Sequence, residues 1–142
     1  MPVFAQHNRE QLRRMYLEAW RKYVARQPLE PLEGQIAAVI AEHQEYLPVL
    51  ETPAALEADF IPEGGRENPF LHMGLHLAIR EQVATDRPAG IARIHRELAT
   101  RLGDVHAAEH AMLERLAETL WEAQRRGGLP DEQRYIERLL TL

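Results

Sequence analysis

Seven histidines punctuate this 142-residue chain, at positions 7, 43, 72, 76, 95, 106 and 110. Four of them form pairs with a spacing of four, in HMGLH (72–76) and HAAEH (106–110). On an α-helix that spacing stacks two imidazoles on one face, where both can turn toward a single ion. Imidazole nitrogen is a good ligand for zinc, iron, nickel and copper. A ring on an apolar stripe needs hydrogen-bond partners or must stay neutral at a cost, and a shared cation answers that need for several rings at once. The pattern therefore points to a transition-metal site. His72, His76, His106 and His110 are the expected ligands, with His43 next. Glu109 is either a carboxylate ligand or the group that orients an imidazole. His95 has no ligand partner four residues away and reads as a packed histidine, and His7, ahead of the first helix, as a surface one.

Rival chemistries find less. HAAEH also matches an inverted zinc-protease motif, but no third ligand follows it in a suitable scaffold. A ferritin-type di-iron site needs Glu-x-x-His, and none of the seven histidines has a glutamate three residues before it. The chain contains no serine and no cysteine, so nucleophilic hydrolysis has only threonines to draw on, and thiolate ligands and disulfides are excluded. Gly64-Gly65 lacks the lysine and spacing of a phosphate loop.

The elements that must hold these residues read as helices almost throughout. Asn8 with Gln11 resembles a capping box. It leads into a stripe of Leu12, Met15, Tyr16, Ala19 and Tyr23 on a first helix to about residue 26. A second stripe (Leu32, Ile36, Val39, Ile40, His43, Leu47 and Leu50) starts near Pro31, and Pro48 is expected to kink or end it. TPAALEADF (52–60) reads as a short helix and IPEGGREN (61–68) as a loop. Asn68 then caps, and Pro69 begins, a third helix to about Thr85, with His72 and His76 on the face of Leu75, Ile79 and Val83. A shorter helix carries Ile91 to Leu102. Gly103 ends it and Asp104 caps the last long helix, 105–126. Its core arc is Val105, Met112, Leu113, Leu116 and Leu120, with Glu109 near the centre and His106 and His110 at the edge. A final helix from Pro130 offers Tyr135, Ile136, Leu139 and Leu140 as a patch that closes the bundle or meets a second subunit, so a homodimer is allowed. Tyr16, Trp20, Tyr23 and Trp121 fall at helical spacing and read as core or core-edge packing. The expected architecture is one all-α domain over 1–142, an antiparallel four-helix bundle with additional short helices.

Two resemblances bear on function. Through NREQLRR, PLEPLE, GRENPFLHMGLHLAIREQ, LGDVHAAEHAMLE and LWEAQR the chain resembles, over nearly its whole length, an uncharacterised bacterial family known as a domain of unknown function. Its histidine constellation is similar to hemerythrin-like di-iron bundles and to the mononuclear metal bundles of DinB-like type. The hemerythrin-like likeness implies a non-haem iron protein that binds oxygen or senses redox state. The DinB-like likeness implies a zinc or nickel centre that activates water in a hydrolase or transferase. A non-catalytic interaction module with a histidine-lined core is the alternative from another class.

A formal net charge of -5 offers no electrostatic footprint for nucleic acid or an anionic membrane. Arg13-Arg14 and Arg125-Arg126 read as solvated doublets. The chain has no apolar run long enough to span a membrane and no secretory pattern at its start, so a cytoplasmic address is expected.

Overall fold

In the computed structural model, residues 2–52 and 68–142 are described, with side chains from residue 9 onward. The expected helix over 52–60 and loop over 61–68 therefore lie almost wholly outside the described residues, as does the side chain of His7. Seven α-helices and one 3₁₀ turn are present, with no strand among the described residues: the protein is all-α. It forms two compact units, Met1–Met73 and Gly74–Leu142.

The first unit pairs α1 (Pro2–Val24) with α2 (Pro31–Ala41). α1 begins at Pro2, well before Asn8, so Asn8 lies inside the helix and is not its cap. The helix ends two residues earlier than the hydrophobic pattern suggests. Arg26 takes a left-handed φ of 57°, and the amide of Gln27 reaches back to the Lys22 carbonyl at 2.9 Å, a closing turn usually given to glycine. Burial on α1 follows Arg13, Tyr16 and Ala19, leaving Leu12, Met15 and Tyr23 between 39% and 49% exposed. Arg13 is thus a correction: its guanidinium lies 4.8 Å from the Phe70 ring centre, and Tyr16 meets the same ring edge-on at 5.8 Å. Ile36, Ala37, Val39 and Ile40 supply the buried face of α2. Lys22 pairs with Glu33 at 2.9 Å across the two helices.

The second helix does not run through His43. α2 stops at Ala41, a 3₁₀ turn covers Gln44–Tyr46, and α3 (Leu47–Leu50) follows. A proline at position 48 cannot donate its amide, and its ring would collide with the carbonyl four residues earlier. The break falls just before that carbonyl, with Pro48 in the first turn of α3.

α4 (Pro69–Thr85) starts where the sequence places it, with Asn68 Oδ1 accepting from the amides of Phe70 and Leu71 at 3.0 and 3.2 Å. Its first turns belong to the first unit and the remainder to the second. There it joins α5 (Ile91–Leu102), α6 (Val105–Arg126) and α7 (Glu132–Leu140). Their core contains Leu75, Ile79, Ile91, Leu98, Met112, Leu113, Leu116, Tyr135 and Leu139. Val105 and Leu120, expected in that core, are 60% and 40% exposed. Trp121 is likewise outside, 56% exposed, with the Arg125 guanidinium 4.7 Å from its ring centre. Gly103 and Gly127, both at φ 71°, end α5 and α6, and Asp104 caps α6 by accepting from the His106 amide at 2.9 Å. α7 buries Tyr135 and Leu139 while Leu140 stays 69% exposed, so the expected C-terminal patch is divided between core and surface.

Candidate metal centre

The second unit gathers three imidazoles. α4 supplies His76, and the first two turns of α6 supply His106 and His110. Ring centres are 5.4 Å apart for His76 and His106, 5.7 Å for His76 and His110, and 6.4 Å for His106 and His110. A ring nitrogen of His76 lies within 4.8 Å of one on His106 and of one on His110. Nitrogens bound to one tetrahedral ion stand about 3.3 Å apart, so closing either His76 pair asks for side-chain shifts on the order of 1 Å. His76 is fully buried, His110 half-buried and His106 exposed. The cluster thus runs from core to solvent, which gives an ion a way in.

Glu109 sits in the middle of this group, buried at 5% exposure. Its Oε1 lies 2.6 Å from His76 Nδ1, and Arg80 Nε donates to both carboxylate oxygens at 3.1 Å. Burial alone would raise this carboxyl above its usual value. The hydrogen bonds from His76 and Arg80, with the charge of the guanidinium, outweigh it and bring the value down to about 2. Glu109 is therefore an anion, which can only accept, and the His76 proton belongs on Nδ1. In the neutral ring the lone pair then lies on Nε2, the tautomer a metal needs. Of the two roles the sequence allows Glu109, these contacts match the orienting one.

The first unit holds its own group. His43, at the break after α2, donates Nδ1–H to the Val39 carbonyl at 2.8 Å, which again leaves the lone pair of the neutral ring on Nε2. Its ring centre lies 5.1 Å from that of His72, which projects from the first turn of α4. Tyr46 completes the group, parallel to His43 at 5.6 Å and edge-on to His72 at 5.9 Å. His43 and His72 are 3% and 8% exposed. α4 carries His72 and His76 on successive turns, as the sequence spacing requires.

Every expected ligand thus lies in one of these two groups, and His95, half-buried on α5, lies in neither. Sequence reasoning missed Tyr46 and Arg80. Arg80 had a legible signal, standing four residues after His76 on the same face of α4. Tyr46 had none, because only the helix break before it swings it beside His43. Histidines grouped in this way, three of them buried and two with tautomers set by hydrogen bonds, can bind a metal.

No described helix is long and apolar enough to cross a membrane. Neither a curated protein nor a solved structure matches the chain. Residues 8–141 match the family described as Domain of unknown function (DUF1841). The near-complete span of that match, carrying both histidine pairs and Glu109, makes this chain a member of the DUF1841 family.

Proposed function

We propose that this chain is a transition-metal protein whose ligands are His76, His106 and His110 in the second unit and His43 and His72 in the first. In this reading the chain works as one helical domain of antiparallel-bundle type, and α4 presents two ligands on consecutive turns. The observation that carries the reading is the Arg80–Glu109–His76 chain. A buried anion that fixes an imidazole with its lone pair on Nε2 is the outer support that metal-binding histidines usually have. A purely structural core would be built more simply with a leucine at position 76, because a buried ion pair seldom adds stability over well-packed apolar residues.

With Glu109 engaged by His76 and Arg80, the donor set is nitrogen-rich and lacks a carboxylate to bridge two ions. At this cluster that supports one unbridged ion rather than a di-iron pair. With iron, such a centre binds oxygen or reports redox state. A second reading draws on the exposed side of the cluster at His106: three imidazoles and one open position are the arrangement in which zinc lowers the pKa of bound water.

The test is elemental analysis of tag-free protein. The expected result is near-stoichiometric iron, zinc or nickel in the wild type, reduced in the His76→Ala, His110→Ala double variant. A His43→Ala, His72→Ala variant reports the share of the first unit. A metal-free wild type that gains no thermal stability from added Fe(II), Zn(II) or Ni(II) would leave the interaction module standing instead.

A further inference from the structure

We infer that Tyr46 is a metal ligand, its phenolate oxygen completing a set with His43 and His72, and that this set selects ferric iron. The inference rests on the reading that the histidines hold a metal ion and adds an oxygen donor to it. Rings packed in a core stand anywhere from about 4.5 to 7 Å apart; three ligands of one ion are held to a narrower triangle. With bonds of about 2 Å and angles of about 90–110°, two bound imidazoles have centres about 4.5–5.2 Å apart, and a bound phenolate lies about 5.3–6.1 Å from each. The observed separations are 5.1 Å between His43 and His72, and 5.6 and 5.9 Å from these to Tyr46.

Chemistry agrees with the distances. The Val39 carbonyl takes the Nδ1 proton of His43, so the opposite nitrogen of that ring carries its lone pair. Tyr46 is half-buried, beside the buried His43 and His72. On binding, the O–H bond breaks, the proton leaves to solvent, and the oxygen pair forms the bond to the cation, with no change of oxidation state. An anionic oxygen beside imidazoles favours the higher charge of ferric over ferrous iron, as tyrosinate does in haem catalases.

The experiment loads tag-free full-length protein with ferric citrate, removes excess, and reads bound iron alongside visible absorption and resonance Raman spectra. The expected wild type holds one iron per chain, with a phenolate-to-iron charge-transfer band and enhanced phenol ring modes. Tyr46→Phe, checked for native helix content by circular dichroism, should lose the band and the modes entirely, with or without its iron, and Tyr23→Phe should keep both. His72→Ala should also abolish the band. Iron-loaded wild type without such a band, or a Tyr46→Phe variant that keeps it, overturns the tyrosine ligand while leaving histidine binding intact. Wild type that retains no iron and no other transition metal overturns both.

Discussion

Glu109 is the residue on which most of the site's electrostatics turns. Its carboxylate is 2.6 Å from His76 and is also held by Arg80. Glu109→Gln should weaken metal binding about 10–100-fold, as loss of an outer hydrogen-bond partner does, measured by competition with a chromophoric chelator. In metal-free protein at neutral pH the same change should cost about 3 kcal/mol, because a partly buried guanidinium and a buried imidazole lose their anion. The pH dependence has a definite sign. Folding lowers this carboxyl from 4.5 to about 2, so its contribution is fully present above the upper value and disappears as pH falls through that window. The urea midpoint of metal-free wild type should therefore drop more steeply with acidification across that window than that of Glu109→Gln. The central placing of Glu109 was legible from helical phase alone, since it lies near the middle of the core arc with His106 and His110 at its edge; which of its two roles it takes was not. Arg13 was not: an arginine doublet reads as solvated, and only the Phe70 ring, 57 positions away in the chain (70 minus 13), gives its guanidinium somewhere to lie.

Helix ends decide where the imidazoles stand. Asp104 both starts α6 and holds the His106 amide, so Asp104→Ala should cost about 1 kcal/mol in urea unfolding. It should also loosen His106 enough to weaken metal binding measurably in the same chelator competition. α7 is fastened from the opposite side. Leu139 is 1% exposed in the second unit's core, and the Tyr135 hydroxyl donates to Gln82 at 2.7 Å. Leu139→Ala should destabilise by about 2–5 kcal/mol, whereas alanine at exposed Leu140 should change stability by less than about 0.5 kcal/mol. The boundaries of α4, α5 and α6 were legible because each carries local punctuation: Asn-Pro, Gly-Asp, Gly-Gly. The break at His43 was harder to place. The proline responsible stands five positions downstream (48 minus 43), and the apolar stripe continues through the break without a change of period. The exposed Val105 and Leu120 have the same lesson for α6, where periodicity names the buried stripe but not how far neighbouring helices reach along it.

At the scale of the whole molecule, metal should act as a stabilising ligand. Binding to the folded chain alone, at a free concentration about 100 times Kd, adds about 2.7 kcal/mol. For a chain of this length that raises the melting point by roughly 5–15 °C. Calorimetry with and without added metal checks this, and the increment should shrink in the His76→Ala, His110→Ala variant. All-α architecture was legible from composition and period, while the separation into Met1–Met73 and Gly74–Leu142 was not, because no linker-like stretch marks it. The boundary falls inside α4, between two residues of an unbroken helix. Severing the chain there would strip up to four carbonyls from one piece and up to four amides from the other of their partners. A truncation guided by compactness alone should therefore leave each piece with a frayed helix end and a melting point below that of the full chain, as circular dichroism would show.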